Sequence, residues 1–541
     1  MKTLAQIAAE LQGYDPQALR ADAVNEFLLH LVEPVQEHEQ VGIFDALGRV
    51  LAADVVSPVN VPPHDNSAMD GYAFAGAQLS ADALTGTTAT TRAASARPPP
   101  RTATSLAAAP PTATSPTPAP HTLKVIGTAM AGAAWRGTVQ TGECLKIMTG
   151  AVLPAGLDTV IPQEFVQAFV RESEAGIAEA GQPAETHVKA TFITIPAGLL
   201  KAGDNRRAAG EDIRAGQAAL LKGERLTPAA LGLIASLGLQ SVTVWRRLRV
   251  AYFSTGDEIL SLGEAPREGA VYDSNRYTVF GLLTRLGVEI IDMGVVRDEP
   301  AALEAAFTRA AEVADAIITS GGVSVGEADH TKAMMEKLAG GEKPDDEGAH
   351  AMGGVAFWRI AMRPGRPMAV GRLPRMPQMA QIASKASKAS KVSVSPVLGV
   401  KSASSPRGIC IDSYNTNSIQ DPASFSVLFG LPGNPVAVMV TFLAFVRPAL
   451  LRMMGSTEAA PPWLKANSTE AIRKKPGRTE YQRGIVSTAA NGQLHVKITG
   501  NQGSGVLSSM TQANGLIVLH HDQGNVAAGD FVDVMMFDGV I

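Results

Sequence analysis

Apolar side chains recur at helical spacing in residues 22–32 (DAVNEFLLHLV), where Val24, Phe27, Leu28 and Leu31 share one face. Asp22 is placed to cap this helix, and Pro34 lies just past its end. Over residues 50–63 the apolar pieces become short and are separated by Pro and Ser, which predicts extended chain. Between residues 249 and 451 the pattern changes to unbroken apolar runs alternating with helical stretches. Residues 249–253 (RVAYF), 288–296, 314–319 and 426–431 read as buried strands. Residues 275–286, stopped by Gly287, and 300–313, with Pro300 in the first turn, read as helices, and another starts at Pro435. Such alternation predicts a parallel sheet covered on both faces, with ligands at the carboxyl ends of its strands. The tail, residues 468–541, has short alternating pieces (QLHVKI, GLIVLH, DFVDVMMF) punctuated by Gly and Asn, which predicts a small antiparallel barrel or sandwich.

Three stretches break this pattern. Residues 75–122 are dominated by Ala, Thr, Ser and Pro, residues 373–424 contain SKASKASK, and residues 340–352 are a smaller case. Each is too poor in large apolar residues to repay ordering entropy and reads as a disordered insertion. The 541 residues exceed what one core organises, so several domains are expected. The longest apolar run, residues 435–446, is interrupted by Thr441 and followed by Arg447, short of the ~20 residues of a membrane span. The amino terminus has one Lys, then Glu10, and no signal-peptide core, so a cytoplasmic location is expected. Two cysteines, Cys144 and Cys410, argue against a disulfide scaffold or a Cys-built metal site. A net charge of -4 gives nucleic acid nothing global to bind.

Candidate chemistry gathers at the predicted strand ends. FSTGDE brings Asp257 and Glu258, VYDSN brings Asp273, VVRDEP brings Asp298, and TSGGVSVGEAD brings Ser320, Gly321, Gly322, Ser324, Glu327 and Asp329. Acids converging on one sheet edge suit a divalent cation or a positioned water. Taken singly, Asp298 and Glu299 before Pro300, and Asp273 or Ser274 before the next helix, read equally as helix caps, but four strand ends in one pattern favour a site. The glycine loop can bring amides close to an anion, or serve as a tight turn, and it lacks the ending of a P-loop. In FWRIAMRPGRP, Arg359, Arg363 and Arg366 fall within eight residues with no acid between them. An extended segment would place Arg359 and Arg363 on one face, and the Pro-Gly turn would return Arg366 toward them, a setting for an oxyanion or phosphate. Gly433 and Asn434 in GLPGNP can present further amides. PPHDNSAMDGYA, residues 62–73, is polar and turn-rich, with Asp65 and Asp70 as its acids. DNRRAAGEDI contributes Arg206, Arg207, Glu211 and Asp212, an ion-paired hinge in the plain reading, and Thr149 sits in the turn of KIMTGAVLP.

In this order, DNSAMDGYA, IMTGA, N-x-R-x-x-G-E-D, FSTGDE, YDSN, RDEP, TSGGVSVGEAD, RPGRP, GLPGNP and GR-x-x-x-x-RG resemble the molybdopterin molybdenumtransferase (MoeA) family across nearly everything outside the three inserts. The resemblance implies a multidomain α/β fold. An elongated linker and dimerisation region (1–54 plus 205–247) would carry an inserted mainly-β domain (55–204), followed by a MogA-like doubly wound domain (248–454) and a C-terminal β-barrel (455–541). It implies that adenylylated molybdopterin and molybdate are bound, molybdenum is inserted at the dithiolene and AMP is released, with Mg2+ assisting. It implies a homodimer whose site takes the Asp70 segment from the other subunit, and exchange with other enzymes of molybdenum cofactor biosynthesis. Carried over, the functional acids are Asp70, Glu258, Asp298 and Asp329, the last three as metal ligands, with Thr149, Arg207 and Asp212 supporting. The glycine loop, with Ser320, Gly321, Gly322 and Ser324, and Arg359 would hold substrate, and the molybdate pocket falls on Arg363, Arg366, Pro367, Arg478 and Ser509. Two departures stand out. Arg replaces the family's common Lys at 359, 363 and 366, which keeps charge but removes a transferable ammonium proton, and Ala437 replaces a Ser. An adenylyltransferase sharing the central fold and a non-enzymatic clustering scaffold are the rival readings.

Overall fold

A computed structural model of the chain describes residues 2–79, 120–173, 188–323, 330–339, 353–375 and 425–538. These form two compact units, one of residues 1–54, 221–232 and 240–541, the other of residues 55–220 and 233–239. The bodies of the three low-complexity stretches fall outside the described residues, but their edges are built into the fold. Gly76–Leu79 forms a turn in which buried Gln78 accepts from Gly142 N at 2.7 Å, and His121–Ala129 is a strand. Leu373 is buried near the end of the strand Pro367–Pro374, so the inserts are narrower than composition suggests.

The first unit is organised by a six-stranded sheet. In chain order its strands are β1 (Arg249–Thr255), β2 (Glu289–Val296), β3 (Ala316–Ser320), β4 (Gly354–Arg359), β6 (Pro367–Pro374) and β7 (Phe425–Leu431), while β5 (Met362–Arg363) belongs to another sheet. Their spatial order is β2-β1-β3-β7-β6-β4, with β2, β1, β3 and β7 parallel and the β4–β6 pair antiparallel at one edge. The central parallel strands β1, β3 and β7 are largely apolar and buried because both faces are covered, while the edge strand β2 is only half-buried and carries Glu289 and Asp292. Val250 and Tyr252 join a core with Phe27 and Leu28 of α1 (Ala21–Leu31) and Val279 and Leu283 of α2 (Ser274–Leu286). Ala251 and Phe253 face α3 (Pro300–Val313) and α4 (His330–Leu338), where Phe253 meets Phe307 edge-on at 5.0 Å. The sheet is thus doubly wound.

Helix ends follow local chemistry with two exceptions. Asp273 caps α2, accepting from Arg276 N at 3.0 Å, and Gly287 closes it at φ 86°. Asp22 does not cap α1; it lies inside the first turn and engages Arg20 at 3.3 Å. Glu299 precedes Pro300 without a side-chain cap bond, and Pro300 at the first helical position lacks one of the otherwise unpaired amides of the first turn. The helical run from Pro435 to Met453 has the length and apolarity to cross a membrane, yet Val436, Val438, Val440, Phe442, Phe445 and Val446 are all in the core of this unit.

The tail closes into a barrel of five strands, β8 (Leu464–Ser468), β9 (Thr479–Thr488), β10 (Leu494–Ile498), β11 (Gly515–Leu519) and β12 (Phe531–Met536), because β9 pairs with both β10 and β11. The two-residue β5 adds to β9, with Arg363 opposite Glu480. The second unit contains a six-stranded sheet of Gly71–Phe74, His121–Ala129, Glu143–Ile147, Thr159–Pro162, Gln167–Ser173 and Val188–Ile195. Cys144 is fully buried there, and burial pushes its thiol up to about 12.

Candidate active site

At the carboxyl ends of β1, β3 and β7 the first unit opens a cavity of about 690 Å3. Glu258, Gly321, Gly322 and the 432–434 turn supply one part of its wall; Arg363, Arg366 and Pro367 supply another; Arg478, Gln502 and Ser504 come from the barrel side of the chain. This is where an open α/β sheet places a ligand.

The glycine turn after β3 needs its glycines. Gly321 (φ 92°) and Gly322 (φ 63°) are left-handed, a Cβ on Gly321 would strike the Thr255 carbonyl, and one on Gly322 would strike Thr331. Gly365, between the two arginines, has φ 93° and packs on Thr441 Oγ1. Thr441 Oγ1 is itself buried and has no hydrogen-bond partner among the described residues. That turn therefore fixes where Arg363 and Arg366 emerge.

Both arginines are exposed, and among the described residues neither has a carboxylate partner. Arg478 differs, since its Nε and NH2 bond the buried Glu480 carboxylate at 2.8 and 2.7 Å, so its charge is already matched. Beside the main cavity a second chamber of about 340 Å3 is lined by Arg363, Arg473, Glu480 and Arg483. Arg483 was not among the expected residues. It is buried, donating from Nε to Ser509 Oγ at 2.9 Å and from NH2 to the carbonyls of Asn501 and Gly503 at 3.2 and 3.0 Å. Burial first, and the Arg363 charge second, lower its pKa to about 10. A buried cation whose acceptors among the described residues are all neutral is an unmet electrostatic demand at the edge of the site. The motif GR-x-x-x-x-RG contained it, but only the fold shows that its second arginine faces a chamber shared with Arg363.

Several expected residues lie elsewhere. Arg359 ends β4 and pairs with Pro367; it is not on the cavity wall, because the chain leaves the central sheet at Ile360, which bridges to Leu19, before Arg363 joins the barrel. Ser320 is buried, its hydroxyl within 2.7 Å of Tyr252 OH and 3.2 Å of Ser254 Oγ. Ser509 is buried beneath Arg483 and donates to Val506 O at 2.6 Å. Asp298, half-buried after β2, accepts from Thr331 Oγ1 at 3.2 Å. Ser324, Glu327 and Asp329 lie outside the described residues. Among the described residues no three carboxylate, imidazole or thiol groups gather as a metal site.

In the second unit Asp70 is exposed on the turn before Gly71, where a Cβ would run into the Ile161 carbonyl. Its Oδ1 accepts from Thr149 N and Thr149 Oγ1, both at 2.7 Å. The Thr149 amide, then its hydroxyl, hold the Asp70 carboxyl below the ordinary value. Asp65 accepts from Ala209 N at 2.8 Å, and Asn66 pairs with Arg207. Arg207 and Asp212 are exposed. The segment containing them lies inside this unit, and its ion pair is Arg206 with Asp65 at 3.5 Å.

Known proteins resemble this chain along its whole length. The descriptions "MoeA N-terminal region (domain I and II)", "Probable molybdopterin binding domain" and "MoeA C-terminal region (domain IV)" match residues 19–238, 251–452 and 465–537. A molybdopterin molybdenumtransferase of Haemophilus influenzae is 33% identical over 520 residues, covering 96% of this chain and 98% of its own. One from a Nostoc species is 28% identical over 529 residues, covering 97% and 95%. A solved structure of a molybdopterin biosynthesis moeA protein from Pyrococcus horikoshii shares the fold with a TM-score of 0.62 at 21% identity, covering 96% of this chain and 100% of its own. Three successive matches in one order, and a relative aligned from end to end, make the chain a member of the MoeA family of molybdopterin molybdenumtransferases.

Proposed function

We propose that this protein transfers molybdenum in molybdenum cofactor biosynthesis: it binds adenylylated molybdopterin and molybdate, inserts the metal at the dithiolene, and cleaves the pyrophosphate bond with water to release AMP. The observation that carries this reading is the cavity in which Glu258 and a glycine turn stand with Arg363 and Arg366, two guanidinium groups lacking a carboxylate partner among the described residues. A tetrahedral dianion supplies the charge they lack, and Arg forks suit its geometry. The amides of the 321–322 and 433–434 turns suit the phosphate groups of the organic substrate. Arg483 strengthens the positive field behind Arg363.

Mg2+ belongs to this reading as a helper. Glu258 and Asp298 are hard oxygen donors at neighbouring strand ends, the donor type that ion prefers, and they would hold it with Asp329. When bound it would offset charge on the pyrophosphate oxygens. Asp70 keeps the role of a functional acid that the family resemblance gives it, delivered by the other subunit, with Thr149, Arg207 and Asp212 supporting, and the homodimer and exchange with neighbouring enzymes of the pathway are part of the same proposal. Arg in place of Lys means that the oxyanion is held by charge and hydrogen bonds without proton donation.

The test is direct. Purified protein incubated with adenylylated molybdopterin, Mg2+ and molybdate should release AMP. No AMP there, together with adenylylate formed from ATP and molybdopterin, would support the adenylyltransferase instead. Asp298→Asn should abolish turnover while the mass in solution stays that of a dimer; retained turnover would remove Asp298 from the reaction, and a wild type that forms the dimer but turns over neither substrate would favour the scaffold reading.

A further inference from the structure

Thr331 lies in the first turn of α4 and is fully buried, and contacts from three different strand ends converge on it. Its Oγ1 donates to Asp298 Oδ1, in the loop after β2, at 3.2 Å. A hydroxyl has one hydrogen, so the 3.2 Å contact between Thr331 Oγ1 and Thr255 Oγ1, at the end of β1, has Thr255 as its donor. Gly322, in the turn after β3, packs so closely that any Cβ there would run into Thr331 Cβ and Oγ1. A polarised relay therefore runs from Thr255 through Thr331 to Asp298, with the glycine turn resting on its middle member. Among the described residues Thr331 is the side chain that hydrogen-bonds the Asp298 carboxylate.

We propose that Thr331 is a positioning residue for the reaction: its hydroxyl orients the Asp298 carboxylate and, through the same contact surface, sets the height of the Gly321–Gly322 turn on the cavity wall. The inference rests on the molybdenum-transfer reading. It goes beyond that reading because Thr331 touches no substrate-lining space itself; it is absent from the cavity wall. The plain alternative is that a buried threonine only fills volume. The two differ in which atom matters. If the hydroxyl orients Asp298, valine, which keeps the shape and drops the hydroxyl, should be the damaging substitution. If packing matters, serine, which keeps the hydroxyl and loses the methyl, should be the worse of the two.

The experiment measures AMP release from adenylylated molybdopterin with varied molybdate for wild type, Thr331→Val and Thr331→Ser, with thermal melts of each. Thr331→Val should lower kcat roughly tenfold, the scale of losing one hydrogen bond to a charged group. Its KM for molybdate should hold, because Arg363 and Arg366 are untouched. Thr331→Ser should keep kcat within about threefold of wild type despite a lower Tm. Thr255→Val, which cuts the donor end of the relay while leaving the Thr331–Asp298 bond, should give a smaller loss of kcat, and it carries the test if Thr331→Val fails to fold. Active wild type with unchanged kcat in the valine variants, or with serine the more damaged, overturns the inference alone. Wild type that releases no AMP overturns the parent reading and this inference with it.

Discussion

Arg483→Met separates the electrostatic worth of this site from its worth to the fold. The wild-type guanidinium is buried and lowered to about 10 from the ordinary 12.5, so keeping it charged costs the folded state about 3 kcal/mol. A cation lowered in this way carries its penalty at every pH below the folded value, and only above about 10 does the penalty begin to lift. The neutral range therefore shows no pH dependence from this residue. Against that cost stand the bonds to Ser509, Asn501 and Gly503 at 2.9, 3.2 and 3.0 Å, together about 3 kcal/mol at ~1 kcal/mol each. Methionine fills similar length and removes both terms, so stability to urea should change by less than about 2 kcal/mol. Anion binding should suffer more. A unit charge removed at an assumed separation of roughly 6 Å from a dianion, with an effective dielectric constant near ~20, withdraws about 5 to 6 kcal/mol before screening, and screening at moderate salt leaves a loss of at least about tenfold in affinity. Molybdate titration by calorimetry at two salt concentrations, alongside urea unfolding, reads both quantities. An unchanged Kd, or an unfolding free energy lowered by about 5 kcal/mol or more, would show that Arg483 is a structural tie and refute the reasoning.

Other substitutions probe the remaining walls of the site and the frame behind it. Gly365→Ala forces a left-handed residue and a Cβ onto Thr441 Oγ1, so molybdate binding by calorimetry should weaken about tenfold and Tm should fall, at a cost of about 1 to 3 kcal/mol; wild-type affinity would mean that the turn does not aim the arginines. Ala437→Ser adds a hydroxyl on the cavity wall and should tighten molybdate binding about threefold to tenfold, while equal or weaker binding counts against an oxyanion beside α5 (Pro435–Thr441). Asp315→Asn leaves two arginines short of their carboxylate, Arg246 at 2.6 Å and Arg375 at 2.7 Å, and should cost about 3 to 5 kcal/mol by urea unfolding. Burial alone would push the Asp315 carboxyl up; the Arg246 bond and charge, the Arg249 amide and Arg375 outweigh it and hold the group below its ordinary value. Its stabilisation is therefore present above the ordinary carboxylate pKa and lost as pH falls through the lowered one, so the variant should show a shallower acid unfolding limb than wild type.

What the sequence makes legible is set by the range over which each residue's environment is decided. The strands around Val250, Ile317 and Leu428 read correctly because burial on both faces writes itself into consecutive positions, and α2 reads correctly because its cap Asp273 and its stop Gly287 act within one turn. Arg359 lies off the cavity wall for the opposite reason: whether residues 359 and 363 share a face depends on Ile360 meeting Leu19 and on Arg363 pairing with Glu480, contacts that no local pattern encodes. Ser320 and Ser509 are likewise off the cavity wall. Each sits beside the right loop, yet its hydroxyl is taken by a distant buried partner, Tyr252 or Arg483. The same distant contact that removes Ser509 from the cavity supplies Arg483, since a serine that anchors a buried guanidinium cannot also face an anion, while the guanidinium it anchors can add its field to the chamber behind Arg363. Motif positions thus name the neighbourhood, and the hydrogen bonds decide which member of a motif presents its charge.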